Sequence, residues 1–483
     1  RQHSMDLCLE IGQALHIDAD VKGFAIDAFV GSTLLRMYGR LNAIAEAENA
    51  FVRLSMRTLV SWNAMLSVYV ECNQGIYALF LYLQMQEEQV YPDQLTFTIV
   101  IRACSSIVDK EEDFHVDGLS TKAIIALEIG KALHSNAKRN KFMYDVPLIN
   151  TLLCMYSKCG AIVEARDAFS SLLERDAVSW NVMLSAFIEH GEGEKALKLY
   201  RQAHQDGIIT DQCMFISAIQ ACCVLCDMEG DEMPVSTGMS RKTFALEIGR
   251  ALHAVARRKG FASDLYVSNT ILNMYGKCGA IKQAEEMFIS ASASSDYDKR
   301  MHSKYDGFDS TSENFHELGK TIFEVDHYDG AIWNAMLSAY SEQGQGEKAL
   351  LLYTEMHRQG SDPNHITFMT ALHACSTFAG KEVTSVNGIS NKIISLEIGR
   401  AMHEDINKGG YAKDTSIANT LTSMYGRCGS IPDAENVFSQ VQCYDTISCN
   451  SMLSAYVELG QEGKAMLLYR KMKEDDIVID DVT

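Results

Sequence analysis

The 483-residue chain is 47% hydrophobic and 22% charged, values that suit a folded soluble protein and exclude a disordered polyelectrolyte. Its formal net charge of −20 argues against gripping a polyanion through bulk field, although screening within about 8 Å leaves room for a local basic groove. No apolar run approaches the ~18 residues that suggest a membrane span, and only five prolines interrupt a helix-favouring composition.

The chain opens at Arg1, without an initiating Met and inside a repeat, so a targeting peptide is not visible. Residues 1–27 are part of a long motif containing Leu9-Glu10-Ile11-Gly12-Gln13-Ala14-Leu15-His16. A 31-residue motif, 28–58, follows, and then a 35-residue one, 59–93, opened by Ser61-Trp62-Asn63-Ala64-Met65-Leu66-Ser67. Within it Trp62, Met65, Leu66 and Tyr69 fall at helical spacing and Asn73-Gln74-Gly75 breaks the pattern. Ala78, Leu79, Tyr82 and Met85 form a second apolar face, and Pro92-Asp93 ends it. This spacing predicts a helical hairpin.

A 52-residue long motif, 94–145, comes next, with an acidic irregular segment (Glu111-Glu112-Asp113) before the marker Leu127-Glu128-Ile129-Gly130-Lys131-Ala132-Leu133-His134. The cycle of 31, 35 and long then recurs. The 31-residue motifs at 146–176 and 415–445 share Met155-Tyr156-Ser157-Lys158-Cys159-Gly160 and Met424-Tyr425-Gly426-Arg427-Cys428-Gly429. The copy at 265–329 has 65 residues, 34 extra, which fall at roughly 291–325 and read as a mobile Ser/Asp/Lys-rich surface loop. The 35-residue motifs return at 177–211, 330–364 and 446–480, with Cys449 in the Trp slot of the last. Long motifs return at 212–264 and 365–414, and 481–483 begin another. Asp227, Glu229, Asp231 and Glu232 place a second acidic loop before the marker that ends in His253. The layout is a partial motif (1–27), repeats over 28–290, the insertion 291–325, and repeats over 326–480.

Hairpins that cannot bury their apolar faces alone must stack. The expected fold is all-α, a right-handed superhelical solenoid of helix-turn-helix repeats with a concave groove. Most of the fourteen cysteines recur at repeat spacing and read as small buried hydrophobes in a reducing compartment. The recurring His16, His134, His253 and His403 read as packing or hydrogen-bonding residues.

Two repeat families have hairpins of this length. The tetratricopeptide pattern W-x-x-L-G-x-x-Y wants a small residue where Leu66, Leu184 and Leu337 stand. The Trp-Asn-Ala-Met-Leu-Ser, Met-Tyr-x-Lys-Cys-Gly and Leu-Glu-Ile-Gly-x-Ala-Leu-His blocks, with their alternating lengths, resemble the pentatricopeptide repeat family instead. Within it they look like the mixed-length (PLS) subclass of land-plant organellar proteins. The expanded long motifs and the insertion depart from that pattern.

The resemblance implies sequence-specific binding of single-stranded RNA, one base per repeat, read by the fifth and last residues of each repeat. Those are Asn63 with Asp93, Asn150 with Asp176, Asn181 with Asp211, Asn269 with Asp329, Asn334 with Asn364, Asn419 with Asp445, and Asn450 with Asp480. By family analogy Asn with Asp favours uridine, and Asn334 with Asn364 favours cytidine or either pyrimidine. Thr98 with Asp145 suggests guanosine, Ser32 with Thr58 has no clear reading, and Ile216 and Met369 mark spacer motifs. An amide donates and accepts whereas a carboxylate only accepts, so such couples can tell base edges apart. Each Asn could instead cap a helix. Val60, Val178 and Ile447 would flank bases by the same analogy, or pack in the core. Arg40, Lys158, Lys277 and Arg427 would touch phosphates, or simply complement helix C-termini.

His190-Gly191-Glu192 and Cys223-Val224-Leu225-Cys226 have the spacing of a zinc deaminase, but their siblings Cys72, Gln343, Leu459, Ser105 and Ser376 mark a coincidence. No cofactor, metal site or catalytic group is expected, and the chain reads as a binder, not an enzyme. A deaminase domain could follow residue 483. The resemblance implies a specificity factor for cytidine-to-uridine editing, in a mitochondrion ahead of a chloroplast, with editing-complex proteins as further partners. The alternatives are an RNA stability, splicing or translation factor, and a protein-binding scaffold of tetratricopeptide type.

Overall fold

The apolar stripes fold as helices and the Gly- and Asn-bearing breaks between them as turns. The computed structural model describes residues 2–108, 115–116, 119–228, 240–292, 330–381, 390–441, 444–475, 477 and 479–480. These fall in two compact units, Arg1–Ala221 and Cys222–Thr483. The first opens with α1 (Gln2–Val21), followed by the pairs α2 (Ala28–Arg40) and α3 (Ile44–Val52), α4 (Leu59–Glu71) and α5 (Gly75–Glu87), and α6 (Gln94–Val108) and α7 (Thr121–Arg139). The pairs α8 (Val146–Lys158) and α9 (Ile162–Ser171), and α10 (Ala177–Glu189) and α11 (Gly193–Gln205), complete it. A two-residue antiparallel ladder, His115–Val116 against Leu119–Ser120, is a small departure from the all-α expectation.

The division falls within α12 (Gln212–Asp227). The second unit continues with α13 (Arg241–Lys259), then α14 (Leu265–Lys277) and α15 (Ile281–Ser292), α16 (Gly330–Glu342) and α17 (Gly346–Arg358), and α18 (His365–Ala379) and α19 (Asn391–Lys408). Its last pairs are α20 (Thr415–Cys428) with α21 (Ile431–Gln440), and α22 (Thr446–Glu458) with α23 (Glu462–Glu474). Helix α15 takes in residues 291–292 of the expected insertion, and the remainder lies outside the described residues. Asp227, expected in a loop, is the last residue of α12, while 111–113 and 229–232 lie outside the described residues.

Within each unit the first helix of a pair packs on the first helix of the next: α2, α4, α6, α8 and α10 in one unit, and α14, α16, α18, α20 and α22 in the other. Second helices such as α3, α9 and α21 lie against both their own partner and the following first helix. The repeated residues make these joints. Trp62, Trp180 and Trp333 are fully buried and sit edge-on to Phe51, Phe169 and Phe288 of the preceding pair, at 5.0, 5.0 and 5.3 Å. Where Cys449 replaces Trp, Phe438 stacks on Tyr444 at 4.6 Å.

The marker glycine has a packing reason. A β-carbon on Gly130, Gly249 or Gly399 would lie 2.4, 2.4 or 2.5 Å from the side chain of Met155, Met274 or Met424. The Leu-Glu-Ile-Gly block and the Met-Tyr block are thus two halves of one contact. The neighbouring His16, His134, His253 and His403 each place Nδ1 against the hydroxyl of Tyr38, Tyr156, Tyr275 or Tyr425, at 2.8, 2.8, 2.9 and 3.0 Å. Burial lowers the pKa of His134, His253 and His403 and keeps them neutral at pH 7. Gly160, Gly279 and Gly429 turn the chain between paired helices at φ of 74°, 75° and 88°; Asn42 takes the same turn at 56°.

The described cysteines are free thiols, and Cys104, Cys159, Cys222, Cys375 and Cys428 are buried. Burial pushes the Cys159 thiol up to about 11. Among the described residues, no helix is long and apolar enough to cross a membrane.

Candidate nucleic-acid interface

Several first helices begin just after a residue whose side chain caps them. Asp176 and Asp445 accept the backbone N–H of Ser179 and Ser448 at 2.8 and 2.7 Å; Asp211 accepts that of Met214 at 2.7 Å. Asp93 accepts that of Thr96 at 2.8 Å. These are the last residues of the preceding motifs, so the capping role falls to them and not to the asparagines. The asparagines sit one turn into the previous first helix, and those whose partners are among the described residues reach across to the last residue before the next motif.

Asn63 Nδ2 donates to Asp93 at 3.1 Å, Asn150 Nδ2 to Asp176 at 3.2 Å and Asn181 Nδ2 to Asp211 at 3.1 Å. In the second unit Asn334 Nδ2 donates to Asn364 Oδ1 at 3.1 Å and Asn450 Nδ2 to Asp480 at 2.9 Å. Asn419 hydrogen-bonds Asp445. Asp329, the expected partner of Asn269, lies outside the described residues. Six couples named from the sequence are therefore joined by hydrogen bonds between consecutive motifs. The last residues stay accessible: Asp176, Asn364, Asp445 and Asp480 are exposed, and Asp93 and Asp211 half-buried.

Burial raises the Asp93, Asp176 and Asp445 carboxyl pKa values, but hydrogen bonds from the capped N–H, a hydroxyl and the Asn amide outweigh it. All three lie below the usual carboxylate range and are ionised at neutral pH. Each couple thus holds a fixed acceptor beside an amide N–H.

The two other couples have different partners. Thr98 returns its hydroxyl to Gln94 O at 2.9 Å, and Asp145 stands at the N-cap of α8 without a side-chain cap bond. Ser32 is buried and bonds Ala28 O at 2.6 Å, while Thr58 caps α4 through Ser61 N. Ile216 is buried, and the sulfur of Met369 accepts the Thr420 hydroxyl at 3.2 Å.

The core-packing alternative for Val60, Val178 and Ile447 is overturned: they are 54%, 53% and 65% exposed. Sequence reading missed their siblings Phe29, Leu95, Tyr266 and Ile366, also the second residue of a motif and all exposed. Position alone could have found them. An apolar or aromatic side chain thus stands in solvent just before most of the couples, where a planar base can lie against it.

Of the four cations, Arg40 is exposed and lines one surface pocket with Arg36, Asn63 and Leu95. Lys158 is exposed in the last turn of α8. Lys277 pairs with Asp227, and Arg427 lies 4.0 Å from Glu458. The deaminase-like residues do other work: His190 donates from Nε2 to Ser157 O at 2.8 Å, and Cys226 lies 2.9 Å from Cys278. Among the described residues no group of His, Cys, Asp and Glu could hold a metal ion.

Helical pairs joined through repeated side-chain couples define an α-helical repeat protein. The family model described as "PPR repeat family" matches residues 57–106 and 329–377, and "PPR repeat" matches 178–208, 266–290 and 447–477. These five stretches of the chain match pentatricopeptide repeats, and the chain is similar to proteins named for them along nearly its whole length. Similar proteins of Arabidopsis thaliana include one named a mitochondrial pentatricopeptide repeat-containing protein, 27% identical over 98% of this chain and 45% of its own length. Another, named chloroplastic, is 25% identical over 95% of this chain and 46% of its own length. The chain spans less than half the length of these curated relatives. A crystal structure of a maize pentatricopeptide repeat protein shares the fold, with a TM-score of 0.50 at 20% identity, covering 94% of this chain and 64% of that one.

Proposed function

We propose that the chain binds single-stranded RNA in a sequence-specific manner, one nucleotide per motif, and serves as an organellar specificity factor for cytidine-to-uridine editing, as in the mixed-length subclass it resembles. The observation that carries the binding reading is the series of Asn–Asp hydrogen bonds joining motif to motif, with the carboxylate accessible. Each amide gives one Nδ2 hydrogen to the carboxylate and keeps a second. A donor beside an acceptor matches a uracil carbonyl beside its N3–H. The exposed second-position side chains support stacking of the same base. The motifs beginning at 59, 94, 146, 177, 265, 330, 415 and 446 are the reading units, those at 212 and 365 are spacers, and Arg40, Lys158, Lys277 and Arg427 are the cations placed to contact phosphate. Family resemblance favours a mitochondrion over a chloroplast.

Selection of bound RNAs from a randomised short pool tests this. Uridine should be enriched at the nucleotides facing the Asn–Asp motifs, and D176N or D445N should move the preference at one nucleotide only. Recovered sequences with no positional preference would sink the proposal. Depleting the protein should leave particular organellar cytidines unconverted. Transcripts edited normally but altered in level or splicing would favour the alternative role.

A further inference from the structure

The residue three places after each couple's second member divides the couples into two kinds. Thr96 and Thr367 are completely buried, and each hydroxyl lies 2.7 Å from the carbonyl oxygen of the preceding motif's asparagine, Asn63 or Asn334. Ser179 and Ser448 turn their hydroxyls to the capping aspartates, at 2.7 Å each. Met214 and Ile332 have no hydroxyl. The consequence is visible at the amides. Asn63 and Asn334 are 5% and 8% exposed with satisfied Oδ1 atoms, whereas the Oδ1 atoms of Asn150, Asn181 and Asn269 are buried without a hydrogen-bond partner.

An amide facing a carboxylate has only one sensible orientation, because a carboxylate accepts and never donates. Asp93 therefore orients Asn63 whether or not Thr96 helps. Two facing amides have no such rule. Either Asn334 donates to Asn364, or Asn364 donates to Asn334, and the two arrangements offer a ligand different groups. Thr367 removes that ambiguity twice. Its backbone N–H donates to Asn364 Oδ1 at 3.1 Å, and its hydroxyl donates to Asn334 Oδ1 at 2.7 Å. Both carbonyl oxygens are thereby held inward. The exposed Asn364 keeps its NH2 for a ligand, next to the second Nδ2 hydrogen of Asn334.

We propose that Thr367 is a specificity-determining residue: by fixing both amides it makes the Asn334–Asn364 couple present two adjacent donors, selecting a pyrimidine edge with two adjacent acceptors, cytosine N3 and O2, against uracil, whose N3 carries a hydrogen. This rests on the RNA-binding reading and narrows it, since an unlocked Asn–Asn couple accepts either pyrimidine. Thr367 acts through the asparagines and is a positioning residue.

The test uses the full chain and single-stranded RNAs differing at one nucleotide, the one whose base preference is lost in N334A. Wild-type protein should prefer cytidine there by roughly tenfold or more, on the scale of a single well-made hydrogen-bond distinction. T367V, nearly isosteric, keeps the backbone N–H that holds Asn364 Oδ1 but frees Asn334, so it should lower the cytidine-to-uridine ratio severalfold without abolishing it, while preferences at the other motifs stay unchanged. T96V should leave the uridine preference of its own motif intact, because Asp93 still orients Asn63. N364D should turn the couple to uridine, and adding T367V to N364D should change nothing further. Melting curves of each variant separate a lost fold from a lost preference. The inference is overturned if T367V keeps the full cytidine preference, or if T367V in the N364D background relaxes it equally. Loss of preference in N334A together with an unaffected T367V would remove only this inference; no effect of N334A at any nucleotide would remove the RNA reading itself.

Discussion

At the residue scale, the aspartates have two tasks that pull on one carboxylate: each caps a helix and each accepts from the preceding Asn. Replacing Asp176 with Ala should cost about 0.5–2 kcal/mol, the usual value of a lost cap, read from chemical unfolding. Its pH dependence has a definite sign. The folded pKa of Asp176 lies below its ordinary value, so its contribution is complete above the unfolded-state pKa near ~3.9 and is lost as pH falls through the lower folded value. The stability gap between wild type and D176N should therefore be flat from pH 7 to about 5 and close only below about pH 4. A gap that closed between pH 5 and 7 would contradict the depressed carboxyl. The Asn–Asp couples were legible because the same residue types recur at fixed offsets. The Thr96 and Thr367 hydroxyls were not, because they act across a motif boundary 33 residues away from the amide they hold. Thr98 and Ser32 show a local use that spacing does not reveal: a hydroxyl inside a helix can bond the carbonyl four residues back, and both do.

At the element scale, the sequence period gave the helices, since an apolar face repeating every three or four residues has no other low-energy use here. What it could not give is how closely neighbours approach. Gly276 and Gly426 of the Met-Tyr-Gly blocks touch the next first helix so closely that a β-carbon would lie 2.6 and 2.5 Å from the β-carbons of Ala339 and Ala455, with their α-carbons at 3.0 Å. Backbone must move to admit it. At Gly249 the obstruction is the sulfur end of Met274, a side chain that can rotate aside. G276A should accordingly destabilise the second unit by about 1–3 kcal/mol, and G249A by distinctly less. Thermal unfolding of the two variants side by side checks the order; equal losses would mean that the Met–Gly joint is as unyielding as the helix–helix one. The Trp joints are stiffer still. W180A removes a fully buried ring from the edge of Phe169 and should cost about 3–5 kcal/mol.

At the scale of the whole molecule, an acidic chain proposed to bind a polyanion invites a quantitative check. A net charge of −20 supplies no long-range attraction, so affinity must come from base contacts, stacking and a few local cations. Of the four cations at first-helix ends, Lys277 and Arg427 face Asp227 and Glu458. For single strands the slope of log affinity against log salt is about −0.7 per neutralised phosphate, so even four contacts give about −3 at most. Titrating a cognate RNA between about 50 and 300 mM salt should return a slope shallower than that. R40A should reduce it by about 0.7 while leaving the base preferences untouched, since a phosphate contact fixes register and does not read sequence. A slope near −6 or steeper would mean that the chain holds RNA by charge, and the accessible Asn–Asp couples would then no longer account for its affinity.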